Sequence, residues 1–346
     1  MSPRAVRVRS ARLTDLAALG DLSRLSQAPA ETADTRVRSL GLPISATAVS
    51  VFSLFRMPLG AFQPHDQLYV YEDEHRLSGL ARVERDAHRD EWTIVELDAV
   101  DHGDAGDIRL RLLQHLLRDG GRRGASRVHV ACADRDGNVE LFMQAGFARY
   151  GEERIMFRPP TEPLPALPSD DETATGRIRP AAPIDALQLS RLYLAVTPQP
   201  VARVEGYRIP DWERQASHWR VPRSALTPIL RFADLEAYVE TCPPPATEEI
   251  AAFIQVAVAK EDQPHYLRVI GRPDHDPSAL IRYGLAVVGE RGARAQHGIM
   301  TVVRSYEAPL DARLEAFDFG HLADCTLLVR ETLVRVAEPV LVPAVR

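Results

Sequence analysis

Lysine is almost missing from this 346-residue chain: of 42 basic side chains only Lys260 is a lysine, and the rest are arginine. Net charge is -6, so no global positive field exists to recruit nucleic acid or an anionic membrane surface, and neither partner is expected. Cysteine is scarce too. Cys132, Cys242 and Cys325 are odd in number, far apart and without metal-ligand spacing, which argues against a disulfide framework and a metal site and points to a reduced, cytoplasmic setting. Long apolar runs are absent as well. The most apolar window, residues 50–62, is broken by Arg56 and Pro58 and falls short of the ~20 residues a membrane helix needs; it reads as a buried helix. Residues 1–15 carry arginines but no apolar core, so no secretory leader is expected.

What the chain has is bulk, with 45% hydrophobic residues. A single core stops growing at roughly 250–300 residues, so two domains are expected. Proline, acidic and small residues crowd the stretch RPPTEPLPALPSDDETATG, from Arg158 to Gly176, without apolar periodicity, as in a surface linker. The expected division is a first domain over residues 1–158, a linker over 159–175 and a second domain over 176–346. The halves also repeat. RVRSARLTDLAAL from Arg7 and RIRPAAPIDALQL from Arg177 share a short strand, a turn and an aspartate, Asp15 or Asp185, near the start of an apolar-periodic helix. FARYGEERIMFR from Phe147 and FGHLADCTLLVR from Phe319 close on Arg158 and Arg330 at nearly the same offset. A near-constant offset at both ends signals duplication of one fold.

Period-two and period-3.6 patterns give each half the same order. In the first half a strand near Val6 and a helix from Thr14 precede the hairpin QLYVYED and LSGLARVERD. Then follow strand EWTIVELDAV, a helix from about Asp107, strand SRVHVACA, a short helix over 139–145 and a closing strand to Arg158. The second half runs through strand GRIRPA, helices to about Trp219, strands LEAYVET, EIAAFIQVAVAK and HYLRVIG, a helix over 278–291, strand HGIMTVV, a short helix after Pro309 and strand CTLLVRETLVRV. Each half is an α/β (α+β) mixed sheet flanked by helices. That order, with DGNVELFMQAGFARYGEERIMF and its short apolar helix ending in Gly146 and Phe147, resembles the GCN5-related N-acetyltransferase (GNAT) superfamily. The resemblance covers nearly the whole chain, as two tandem copies.

The resemblance implies acetyl-CoA as co-substrate, lying where the fourth strand splays from the fifth. Its pyrophosphate would rest on amides at the start of the following helix, within a Q/R-x-x-G-x-G/A motif, where the macrodipole and close backbone approach favour an anion. Here that stretch reads DAVDHGDAGDIRLRLL. Registered on Leu112 and Leu113, the basic residue and two glycines become Asp104, Asp107 and Arg109; registered on Val100, they become Ala105, Ile108 and Leu110. The second copy, GRPDHDPSALIRYGL, presents Asp274, His275 and Asp276. Carboxylates are therefore expected to serve these helix starts themselves, a contribution of typically 0.3–1 kcal/mol. Metal held by the Asp-His-Asp loops is a sharper alternative, and cofactor binding through Gly103, Gly106 and Arg109 in a distorted loop is a third.

The resemblance also implies a tyrosine acid five residues before the phenylalanine of the Gly-Phe pair. Those positions hold Phe142 and Leu314, which have no proton to give; Tyr150 and Tyr306 lie nearby. Glu96, sharing a strand face with Asp98, is the candidate general base, against the plainer reading of a solvated or salt-bridged strand face. His115 and His129 read as surface residues, Arg7, Arg9, Arg177 and Arg179 as carboxylate partners, and Cys132 as a small core residue. Phe52, Phe55, Met57 and Phe62 read as core or pocket lining. Two functions follow. One is acyl transfer from acetyl-CoA to an amine, on a small molecule or a protein. The other is a non-catalytic pseudoenzyme that kept the scaffold as a binding or assembly module. The halves can pack on each other or on a second copy, so a homodimer stays open.

Overall fold

The computed structural model describes residues 6–15, 17–19, 21–22, 37–44, 66–73, 76–86, 88–100, 103–167, 177–214, 222–242, 249–259, 263–291 and 297–332. The window 50–62, with Phe52, Phe55, Met57 and Phe62, lies outside them, as does Trp219. The first half holds β1 (Val6–Ser10), β2 (Val37–Arg38), β3 (Asp66–Asp73), β4 (Arg76–Arg85), β5 (Glu91–Val100), α1 (Ala105–Arg122), β6 (Arg127–Cys132), α2 (Asn138–Gln144) and β7 (Ala148–Arg158). The second holds β8 (Ile178–Pro180), α3 (Ala186–Val196), α4 (Gln199–Glu205), α5 (Ile209–Glu213), β9 (Phe232–Thr241), β10 (Ile250–Ala259), β11 (His265–Gly271), α6 (Ser278–Arg291), β12 (Ile299–Arg304), α7 (Pro309–Glu315) and β13 (Gly320–Glu331).

These strands form one mixed sheet in the order β1-β3-β4-β5-β6-β13-β7-β12-β11-β10-β9-β8, with β2 alongside β5. The two closing strands have exchanged places. β13 runs antiparallel between β6 and β7, and β7 runs antiparallel between β13 and β12. Each half thus lends its last strand to the other's sheet, and the junction carries no unpaired edge of the kind that invites aggregation.

Local pattern explains where the cores lie. On β5, Trp92, Ile94, Leu97 and Ala99 pack against Ile108, Leu112, Leu113 and Leu116 of α1. Ile94 and Leu97 share that face despite odd spacing because the β4–β5 register slips at Val95, a bulge. Gly79 lets the helix approach: a Cβ there would come within 2.6 Å of Ile108. In the second half, Ile254, Val256, Leu267 and Val269 pack against Leu280, Ile281, Leu285 and Val288 of α6.

The duplication is visible in atomic detail. Arg9 donates to both oxygens of Asp15 at 2.6 and 2.9 Å, and Arg179 to both of Asp185 at 2.8 and 2.7 Å. The Arg12 and Ala182 backbone N–H groups donate to the same carboxylates at 2.6 and 2.8 Å. These arginines pair with carboxylates as expected. The helix expected from Thr14 opens instead with a 3-10 turn over Leu13–Asp15.

Candidate donor gaps and the buried carboxylate pair

In the first half β5 and β6 pair in parallel only from Glu91 opposite Arg127 to Ile94 opposite Val130, then diverge. The opening beyond is occupied by the chain itself. Val37 and Arg38 pair with Val100 and Ala99 on the edge that β5 leaves free. From the other wall the Ala133 N–H donates to the Leu40 carbonyl at 2.9 Å. Arg109, 1% exposed, sits under this bridge. Its guanidinium donates to the Leu97 carbonyl at 3.1 Å, the Ser39 carbonyl at 3.3 Å and Asn138 Oδ1 at 2.7 Å. Asn138 in turn donates to the Leu40 and Ala133 carbonyls at 3.2 and 3.3 Å. Burial lowers the Arg109 pKa to about 10, which still leaves it charged at neutral pH.

The helix start corrects one expectation. Asp104 makes no capping hydrogen bond through its side chain, and Asp107 pairs with Arg111 at 2.8 Å on the surface. Among the described residues, 37–40, Arg109 and Asn138 seal this half, and neither Asp104 nor Asp107 does. Gly103 has φ 96°, a left-handed conformation that favours glycine, and the space above Gly103 and Gly106 is open.

In the second half β11 and β12 pair in parallel only from His265 opposite Ile299 to Leu267 opposite Thr301. Arg268, 2% exposed, donates to Glu307 Oε1 at 2.7 Å and to the Val269 carbonyl. Glu307 also accepts from the Arg304 N–H at 3.1 Å, so the pair crosses from β11 to the turn after β12. Here carboxylate capping does hold: Asp276 accepts from the Ser278 N–H at 3.1 Å and hydroxyl at 2.6 Å. These bonds keep its carboxyl below the usual range. Asp274 instead faces Arg272 at 3.3 Å, and His275 Nε2 lies 3.0 Å from Glu240. The three side chains turn to different partners, and among the described residues no group of three His, Cys, Asp or Glu side chains could hold a metal ion.

Glu96 and Asp98 do share one face, but that face is not solvated: they are 9% and 2% exposed, beside the buried Arg82 and Glu84. Burial and then the Asp98 charge push the Glu96 carboxyl up to about 8, with Arg82 opposing. Such a carboxyl can exchange a proton near neutral pH. The second half offers no counterpart, since β11 carries Arg268 and no carboxylate. Phe142 and Leu314 are buried. Burial raises the hydroxyl pKa of both Tyr150 and Tyr306, which leaves either one a reluctant proton donor.

His129 corrects another expectation. It is 2% exposed, and burial, aided by the Arg223 charge, lowers its pKa to about 3. Its neighbour Glu91 is held at about 2: burial pulls the other way, but His129, Arg223 and Arg89 outweigh it. Arg223, from the second half, reaches Glu91 at 2.6 Å, and Arg304 spans Glu153 and Glu205 at 2.8 and 2.6 Å. The halves are therefore tied by buried ion pairs as well as by exchanged strands. Cys132 is core, its thiol pushed up to about 12 by burial.

Sequence reasoning missed Leu40, Asn138, Arg268 and Glu307. A signal existed for the arginine: Arg268 interrupts HYLRVIG, as Arg109 interrupts the apolar stripe of Ala105, Ile108, Leu112 and Leu116.

No protein-family model and no curated protein matches the chain. Solved structures do. A tandem GNAT protein from the clavulanic acid biosynthesis pathway, without acetyl-CoA, is 15% identical over 94% of this chain and 98% of that one, with a TM-score of 0.54. A GCN5-related N-acetyltransferase from Sphaerobacter thermophilus is 14% identical over 96% and 99%, with a TM-score of 0.56. A putative acetyltransferase from Pyrococcus horikoshii is 11% identical over 96% and 92%, with a TM-score of 0.50. The chain has the fold of these proteins, a tandem GNAT protein among them, along nearly its whole length. At such identities the likeness speaks for fold alone.

Proposed function

We propose that this chain is a tandem GNAT-fold binding protein that does not transfer acyl groups. The observation that carries this reading is the segment 37–40 lodged between β5 and β6. By resemblance, the thioester arm of acetyl-CoA needs that same edge of β5. Acetyl-CoA does not fit this half as it stands. Admitting it would strip Arg109 of the Ser39 carbonyl and Asn138 of the Leu40 carbonyl, and a hydrogen bond to a charged group is worth roughly 1.5–3 kcal/mol. In the second half the Arg268–Glu307 pair bars the equivalent gap. This reading takes residues 1–158 and 176–346 as two copies joined by 159–175, working in the cytoplasm alone or as a homodimer.

One observation favours a second reading, acyl transfer from acetyl-CoA to an amine in the first half. It is Glu96 beside Asp98, since the raised pKa of Glu96 suits a general base. In that case 37–40 leaves the gap, and Gly103, Gly106 and Arg109 receive the pyrophosphate.

Calorimetry with acetyl-CoA, combined with a thiol-release assay over a panel of amines, separates the two. The proposal expects no saturable heat up to millimolar ligand and no thiol release. Turnover that disappears in Glu96→Gln would establish the second reading instead.

A further inference from the structure

Helix α3 carries apolar side chains on two faces. Ala186, Leu189, Leu192 and Tyr193 belong to the core of the second half. Ile184, in the 3-10 turn just before the helix (Pro183–Asp185), Leu187 and Leu194 are instead 88%, 45% and 60% exposed. Together with the exposed Arg191 they recur at i, i+3, i+7 and i+10, which places all four on one side of the helix. Exposed apolar residues scattered singly are ordinary, whereas a stripe of them marks a docking surface. Arg191 stands inside the stripe, and among the described residues no carboxylate is paired with it.

A second copy is a poor occupant. A two-fold contact is self-complementary, so pairing α3 with α3 through this face sets the two Arg191 charges near each other. The chain's own residues 333–346, LVRVAEPVLVPAVR, fit better. Their one acidic side chain is Glu338, with Leu333, Val334 and Val336 before it and Val340, Leu341 and Val342 after it. They also start close by. The Thr332 N–H donates to the Ser126 carbonyl at 2.9 Å, and Arg127, next to Ser126, donates to the Val204 carbonyl in the last turn of α4 at 2.9 Å. The adjoining Glu205 carboxylate accepts from the Tyr193 hydroxyl of α3 at 2.5 Å. Extended at about 3.3 Å per residue, residues 333–346 reach roughly 45 Å, whereas α3, with 11 residues, is about 16 Å long.

We infer that residues 333–346 dock along the exposed face of α3, with Glu338 on Arg191 and the apolar residues to either side of it covering Leu194 at one end and Leu187 and Ile184 at the other.

Disulfide trapping in the full chain tests this. Cys132 and Cys325 are buried, so Cys242→Ser removes the accessible native thiol. In that background, Leu187→Cys with Leu341→Cys is expected to form an intramolecular disulfide under mild oxidation, read by peptide mass spectrometry. Leu322→Cys with Leu341→Cys, at the end of β13 far from Thr332, is the control for random collision. It should trap about tenfold more slowly, since no docking raises its effective concentration. Arg191→Glu should slow trapping on α3 about fivefold, on the scale of replacing a surface ion pair by a like-charge contact, and adding Glu338→Arg should restore it. Leu187, Arg191 and Leu322 are exposed, so the fold should survive these changes. An intermolecular bond, trapping no faster than the control, or a rate unmoved by Arg191→Glu or not restored by Glu338→Arg overturns the inference. Neither result bears on acyl-CoA binding, so this proposal and the preceding one fail separately.

Discussion

The two halves face the same physical problem and solve it with different groups. Wherever parallel strands diverge, backbone carbonyls and N–H groups lose their partners and must find others. In the first half a piece of backbone fills the opening, and one buried arginine spends its donors on carbonyls and an amide. In the second half an arginine–glutamate ion pair crosses the opening, and a carboxylate caps the following helix. The difference teaches that a duplicated frame fixes where polar groups are stranded, and leaves open which residues satisfy them.

The contrast predicts unequal damage from equal truncations. Arg268→Ala should cost most, about 3–5 kcal/mol in urea denaturation, because it leaves Glu307 buried without its partner. Arg109→Ala strands only neutral acceptors and should cost about 2–4 kcal/mol. Replacing Arg268 and Glu307 together by apolar residues should recover much of the loss. A reversed order of the single variants would break the comparison.

The carboxylate pair sharpens it further. Because the folded-state pKa of Glu96 is raised to about 8, folding favours its protonated form. Its contribution is complete below about 4.5 and is lost as pH rises through about 8. Stability should therefore fall on the order of 2 kcal/mol between pH 6 and pH 9, and Glu96→Gln should flatten that slope in melting curves. The smallest effect lies at the helix starts. Asp276→Ala should cost about 1 kcal/mol as a lost cap, whereas Asp104→Ala should stay within about 0.5 kcal/mol.

Much of the fold can be read from the sequence, for local reasons. Period-two strands, period-3.6 helices and the matching Asp15 and Asp185 positions all lie within short windows, and the repeat marks the duplication. The strand exchange cannot be read there, since Phe147–Arg158 and Phe319–Arg330 carry equivalent patterns and either fits either slot. The gaps are harder still. Arg109 meets Ser39 across 70 residues and Asn138 meets Leu40 across 98, and nothing in VRSL at 37–40 advertises a bridging strand. Glu96 can be picked out as a candidate, but its burial depends on what packs over β5. His129 reads as exposed, yet it lies buried beside Glu91 and Tyr150, with the Arg223 charge contributed by the other half.

The central claim is that the first donor gap is closed by residues 37–40. Hydrogen–deuterium exchange of the full chain, with and without millimolar CoA, tests it directly at the amides of residues 97–100 and at Ala133. The account predicts protection that is already high and does not change with CoA. CoA-dependent gain or loss of protection at those amides, saturating with ligand, would contradict it.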